Sequence, residues 1–239
     1  MSVELLKFAS DRELASAAAQ RWVQLLQTPR PPEQTFSVAL SGGRVTKAFF
    51  DEFVARAKAQ PAMLQPVHFF WADERCVPPE HADSNFLLAR QALLEPLGIP
   101  AENIHRLRGE ADPAFALEEA EAELCRIAEL NAHGMPQLDL VFLGLGEDGH
   151  VASLFPQHLA EPDGTTAFQF VADSPKPPPR RLTLTYAALN AAREIWVLAA
   201  GKGKETALAE SLRPDGQTPL ARVLRQRRHT VVFTDIASG

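Results

Sequence analysis

Short apolar runs, each closed by glycine, proline or an acidic residue, alternate along this chain with stretches where apolar residues return every three or four positions. The first pattern predicts strands buried on both faces, the second amphipathic helices. Val3 to Ala9 predicts a short edge strand. Ser10-Asp11-Arg12-Glu13 is a capping box opening a helix through about Leu26, which Thr28-Pro29-Arg30-Pro31-Pro32 ends. Phe36 to Leu40 is a second strand, closing on Ser41-Gly42-Gly43-Arg44, with a helix from Thr46 to about Gln60. Val67 to Ala72 is the next strand and ends in Asp73-Glu74-Arg75; Asp83-Ser84-Asn85 then supplies an N-cap for a helix over Phe86 to Leu94. A long helix is expected from Asp112 to about Ala132, with Pro113 in its first turn.

Leu138 to Leu143 is the most continuous buried run, and it leads straight into Gly144-Leu145-Gly146-Glu147-Asp148-Gly149-His150. Phe155-Pro156 follows so closely that a helix here is limited to about a turn. Ala167 to Val171, Arg181 to Thr185, Glu194 to Ala200 and Thr230 to Thr234 predict further strands. A helix follows Gly201-Lys202-Gly203-Lys204, and another spans Pro219 to about Gln226. Strands alternating with helices predict an α/β fold: an open, doubly wound, mostly parallel sheet with helices on both faces. A closed eight-stranded barrel competes, but the segments are irregularly spaced and two nearly adjoin. No repeat or interdomain linker is visible, so residues 1–239 are expected to form one domain.

Bulk properties narrow the chemistry. The chain is 46% hydrophobic and 23% charged, ordinary for a soluble globular protein. Its net charge of −6, with no basic stripe, argues against nucleic acid as a partner. Cys76 and Cys125 are too few for a disulfide framework or a zinc cluster and read as structural. Met1-Ser2-Val3-Glu4-Leu5 lacks the charged and apolar regions of a signal peptide, and no apolar run approaches a membrane span. The expectation is a cytoplasmic protein with no membrane association, a monomer or small homo-oligomer. An acidic protein that binds an anion must gather its cations locally, which draws attention to arginine and lysine beside glycine loops.

Four strand ends carry polar residues beside glycine or a cap: Ser41-Gly42-Gly43-Arg44, Asp73-Glu74-Arg75 with Ser84-Asn85, the Asp148-Gly149-His150 loop, and Gly201-Lys202-Gly203-Lys204. Arg181 opens a fifth strand. Parallel topology brings such ends to one edge, so they are expected to share a crevice. Ser41, Gly42 and Gly43 precede a helix, where bare N–H groups and the positive helix end receive a phosphate. Arg44, Arg181 and Lys204 are the cations for it. No Walker A pattern is present, so a monophosphate fits better than a triphosphate. Gly144-x-Gly146-x-x-Gly149 mimics the dinucleotide fingerprint, but it lies past mid-chain and Pro156 truncates the helix that motif needs. His150 is suited to taking a proton at neutral pH, and Asp148 to orienting its ring. No G-x-S-x-G elbow supports a serine nucleophile, and His68, His81 and His105 stand singly without H-E-x-x-H spacing, so no metal or cofactor is expected. Glu118, Glu119, Glu121, Glu123 and Glu129 read as a solvated face, and Ser174-Pro175-Lys176-Pro177-Pro178-Pro179 as a stiff connector.

These same segments, in this order and over nearly the whole chain, resemble the 6-phosphogluconolactonases. The likeness is carried by Leu40-Ser41-Gly42-Gly43, Asp73-Glu74-Arg75 with Ser84-Asn85, Gly144 to Pro156, Ser174 to Pro178, Arg181 to Thr185, and Gly201 to Lys204. The glucosamine-6-phosphate deaminases resemble the chain in the glycine loop, the Asp-Glu start and the Gly-x-Gly-x-Asp-Gly-His core. They continue with Ile-Ala-Phe-Asn, where this chain has Val151-Ala152-Ser153-Leu154-Phe155-Pro156. The first loop departs from the lactonase pattern: Arg44-Val45-Thr46-Lys47 stands where Ser/Arg-Thr-Pro is common. The resemblance implies a metal-independent hydrolase of the oxidative pentose phosphate pathway acting on a sugar phosphate lactone. Joined to the residue reading, it implies that Ser41, Gly42, Gly43, Arg181 and Lys204, with Arg44 beside them, hold the 6-phosphate. His150 then activates water, Asp148 orients it, Arg75 or a backbone N–H meets the oxyanion, and Asp73 and Asn85 fix sugar hydroxyls. Sugar-phosphate isomerisation or deamination, and sugar-phosphate binding without turnover, are the competing readings.

Overall fold

The computed structural model describes residues 2–31, 34–159 and 164–236. Met1 and Pro32, used above for the amino-terminal reading and for the stop after the first helix, lie outside the described residues. In chain order the elements are β1 (Ser2–Lys7), α1 (Asp11–Leu26), β2 (Phe36–Leu40), α2 (Thr46–Ala57), β3 (Val67–Trp71), β4 (Asp73–Arg75), α3 (Asn85–Ala89), α4 (Glu95–Leu97), α5 (Pro113–Ile127), β5 (Glu129–Leu130), β6 (Pro136–Gln137), β7 (Leu140–Gly144), β8 (Phe168–Val171), β9 (Arg181–Leu184), α6 (Tyr186–Ala191), β10 (Glu194–Ala199), α7 (Glu205–Leu212), α8 (Pro219–Gln226) and β11 (His229–Thr234).

The expected parallel sheet is present, with strand order β1-β11-β10-β7-β2-β3 and every pair parallel. Apolar runs supply the strands: all five residues of β2, and four of the five in β7, are buried. Alternate strand residues face opposite sides, so burial of Val141 and Leu143 as well as Phe142 means that both faces of the sheet are covered. On one side Trp22 of α1 stacks on Phe53 of α2 with ring centres 3.8 Å apart, and its ring meets the edge of Phe142 at 4.9 Å. Helix α8 packs against both α6 and α7.

Register lines up the strand ends. Leu40 pairs with Trp71, and Leu198 with Gly144. The chain leaves β2 towards β3 on one side and β7 towards β10 on the other, so the sheet has its topological switch between β2 and β7. A crevice opens beyond their carboxyl ends.

Three features differ from the sequence expectation. The strands at Ala167–Val171 and Arg181–Thr185 belong to a second, antiparallel sheet of order β4-β9-β8. Residues 172–180 hold no helix, and a parallel pair needs a long crossover. The helix expected to reach Ala132 stops at Ile127, because Ala128 turns extended and Glu129–Leu130 pairs with Pro136–Gln137. The acidic face is also engaged rather than merely solvated: the Glu121 carboxylate accepts the N–H groups of Ala167 and Phe168, and Glu129 pairs with Arg193.

Candidate active site

Ser41-Gly42-Gly43-Arg44 leaves β2 at the switch point and leads into α2. Helix α2 has no side-chain cap, so the N–H groups of its first turn are not claimed by a capping residue. Ser41 is buried, and among the described residues its hydroxyl has no hydrogen-bond partner. Gly42 is required by a close approach: a Cβ there would lie 2.0 Å from the side-chain oxygen of Asn85. The loop thus packs directly on a residue of the second strand-end cluster.

The β7 loop presents the imidazole. Asp148 Oδ1 lies 2.5 Å from His150 Nδ1 and also accepts the His150 backbone N–H at 3.2 Å. The turn is closed by Gly146 N–H donating to His150 O and Gly149 N–H to Gly146 O. Gly149 has φ +83° and faces Thr218, while the N–H of Leu220 in α8 bonds the Gly149 carbonyl, pinning the loop from behind. Phe155 packs its ring 4.8 Å from the imidazole. Burial alone would push the Asp148 carboxyl up; the hydrogen bond and charge of His150 overcome this and hold it at about 2. With Nδ1 committed to Asp148, Nε2 is the nitrogen left for a ligand.

The third cluster lies where β3 passes through Ala72 into β4, from one sheet to the other. The Glu74 carboxylate accepts N–H groups from Arg75, Asn85 and Phe86 and the Ser84 hydroxyl, so it caps α3 from below the site. Burial dominates there and pushes the Glu74 carboxyl up, against those N–H donors, with Asp73 adding to the rise. Beside it, Asn85 donates its side-chain amide to the Asp73 carbonyl at 2.9 Å and to Asp73 Oδ1 at 3.3 Å. Arg75 donates through Nη1 to the Asp83 carbonyl.

One cavity gathers Ser41, Gly42, Gly43, Arg44, Asp73, Arg75, Asn85, His150 and Lys204, with Thr46 and Ala152. Lys204 ends a loop held by Asp235, which accepts the Gly201 N–H, and by Glu205, which accepts the Gly203 N–H. Burial pushes the Lys204 ammonium down, and Arg44 pushes the same way against Glu147 and Asp235. Two cations in a partly desolvated pocket give it the positive charge that an anion would require.

Arg181 is not among the residues lining that cavity. Its buried guanidinium donates to the carbonyls of Lys176, Pro177 and Pro178 and so holds the proline-rich loop. This loop brings Lys176 near enough to lower Asp148 and Lys204 electrostatically. Lys176 itself has no role in the sequence reading, where this stretch counts as a stiff connector and as one segment of the family likeness. Among the described residues, no group of three or more His, Cys, Asp or Glu side chains is placed to hold a metal ion, and no helix is long and apolar enough to cross a membrane.

Residues 9–233 match the family described as glucosamine-6-phosphate isomerases/6-phosphogluconolactonase. The chain is 36% identical to the 6-phosphogluconolactonase of Homo sapiens over 223 residues, 92% of this chain and 85% of that one. It superposes on the 6-phosphogluconolactonase of Trypanosoma brucei with a TM-score of 0.84 at 29% identity, covering 98% and 96% of the two chains. A monomeric glucosamine-6-phosphate deaminase shares the fold, at TM-score 0.78 and 15% identity over 98% of this chain and 97% of that one.

Proposed function

The chain belongs to the glucosamine-6-phosphate isomerase/6-phosphogluconolactonase family, and we propose that it hydrolyses 6-phospho-D-glucono-1,5-lactone to 6-phospho-D-gluconate in the oxidative pentose phosphate pathway. The observation that carries this reading is the placement of the Asp148-held imidazole of His150 in the same cavity as the uncapped glycine loop, Arg44 and Lys204. One hexose phosphate then reaches from the anion end to the imidazole.

The 6-phosphate lies on the N–H groups of Gly42, Gly43 and the start of α2, with the Ser41 hydroxyl donating to it. A helix end contributes only about 0.3–1 kcal/mol to an exposed anion, so Arg44 and Lys204 provide most of the hold. Arg181 supports the loop beside the site rather than touching phosphate. Asp73 and Asn85 receive sugar hydroxyls. His150 Nε2 takes a proton from water as that water attacks C1; Arg75 stabilises the oxyanion of the tetrahedral intermediate. The C1–ring oxygen bond then breaks, and the ring oxygen leaves as a hydroxyl with the proton returned from His150. Asp148 keeps the ring oriented and favours the transient imidazolium. Every step in this reading uses the chain's own groups.

Because the lactone also opens unaided, the test compares wild type with His150→Ala on freshly generated lactone. A positioned general base contributes about 10²–10⁴ in rate, and kcat is expected to fall by about that factor. Equal rates contradict His150 as the base. No acceleration by wild type, or ammonia release from glucosamine 6-phosphate, contradicts the lactonase assignment.

A further inference from the structure

Three residues beyond the base, the chain reverses through a turn that serves no catalytic step described above. Val151 and Leu154 form an isolated antiparallel bridge, and the Leu154 N–H donates to the Val151 carbonyl at 2.9 Å. Between them Ala152 adopts φ +49°, the left-handed region that residues with a Cβ avoid. The same Ala152 lines the cavity. This reversal turns Ser153 inward, where it is fully buried. Its hydroxyl donates to Asp73 Oδ2 at 2.7 Å, and its N–H donates to Thr183 Oγ1 at 3.1 Å. Thr183 is itself the strand partner of Asp73 across β4 and β9. Ser153 therefore ties the loop that carries His150 to a carboxylate lining the same cavity, over a sequence separation of 80 residues.

The donor pattern gives this tie a direction. A carboxylate accepts hydrogen bonds only, and Ser153 occupies one oxygen of Asp73 at short range. Asn85 reaches the other at 3.3 Å, a long contact that leaves Oδ1 with capacity to accept from a ligand. Without Ser153 the Asp73 carboxylate has one fewer anchor and turns more freely about its own bonds. We propose that Ser153 is a positioning residue for lactone hydrolysis: it fixes the Asp73 carboxylate as the acceptor of a sugar hydroxyl and sets its distance from His150. The inference rests on the reading above, in which Asp73 touches the substrate. Its effect belongs to kcat more than to KM, because misplacing a bound carbonyl relative to the base costs rate even when the phosphate still holds the molecule.

The experiment is a double-mutant cycle on freshly generated lactone with Ser153→Ala, Asp73→Ala and the pair, each checked for folding by thermal melting. Ser153→Ala is expected to lower kcat by about 10- to 100-fold with KM changed by less than about threefold. In the Asp73→Ala background the same substitution is expected to cost less than about twofold further, since the group it positions is gone. Ser153→Cys, nearly the same size with a weak donor, is expected to behave like Ser153→Ala, and replaces it if the alanine variant melts below the assay temperature. An Asp73→Ala variant that is impaired while Ser153→Ala is not, or two effects that multiply in full, overturns the positioning role and leaves the lactonase reading standing. A wild-type enzyme without lactonase activity removes both.

Discussion

Asp148 and His150 are joined by the hydrogen bond that holds the imidazole. Asp148 is half-buried, where its charge costs energy, and the imidazole offsets that cost. Its carboxyl lies below the ordinary 3.8, at about 2, so the contribution of the charged form to stability is fully present above about pH 4. It is lost as pH falls towards 2. The stability difference between wild type and Asp148→Asn, followed by denaturant melts, is therefore expected to narrow across that window; a constant difference down to pH 2 contradicts it. Lys204 has the opposite sign. Its ammonium loses its proton more readily than a free lysine because it is buried beside Arg44. Binding of the product 6-phosphogluconate is expected to weaken on the alkaline side, at a pH below that at which a free lysine loses its proton, since the cation is lost there. Lys204→Met is expected to bind about 10- to 100-fold more weakly at neutral pH, the loss of one charge-assisted hydrogen bond, and to lack that alkaline decline in calorimetry. A variant binding like wild type contradicts the anion site. At this scale a polar residue beside glycine marks in the sequence positions that the fold brings to one cavity, Ser41, His150 and Lys204, with Asp148 bonded to the imidazole. The sequence was silent on Ser153, whose hydroxyl matters only because residue 73 comes to meet it.

Elements follow their local patterns where packing agrees with them. The strand Phe36–Leu40 and the helix Pro219–Gln226 match expectation residue for residue, one a wholly apolar run and the other framed by Thr218 at its cap and proline at its first position. The capping serines Ser10 and Ser84 accept N–H groups from Glu13 and Leu87, where cap chemistry placed them. Legibility fails where tertiary partners decide. Nothing before Gly134 marks the end of the long acidic helix, yet pairing of Glu129 with Gln137 draws the chain into a ribbon. The six-residue helix α6, opened by Thr185, is too short to show a period. Arg181 was readable as a cation near the site, but not as the clamp on residues 176–178. Removing that clamp leaves carbonyl groups without their donor. Arg181→Met is therefore expected to lower stability by roughly 1–3 kcal/mol, seen as a lower Tm, with a smaller effect on KM. A large rise in KM at unchanged Tm contradicts the clamp and returns Arg181 to the phosphate.

For the molecule as a whole, strand order is what converts four separated segments into one site. Each loop follows a parallel strand or the β3–β4 corner, and aligned registers bring the ends of β2, β3, β7 and β10 to one edge. The alternation of strand and helix made the parallel sheet readable. The small antiparallel sheet was not, because its strands look like any other short apolar run until their pairing is known. Even so, that second sheet is what carries Asp73 and Arg75 into the lining of the cavity that holds His150, with Thr183 paired behind Asp73. Lactone hydrolysis as proposed needs a hexose phosphate to bridge the two ends of this crevice. A crystal structure with 6-phosphogluconate bound measures that directly. The expected result has the phosphate on the Ser41–Arg44 loop in contact with Lys204, and the C1 carboxylate within about 2.6–3.2 Å of His150 Nε2 or one water away. A phosphate seated elsewhere, or a carboxylate beyond that reach, contradicts it.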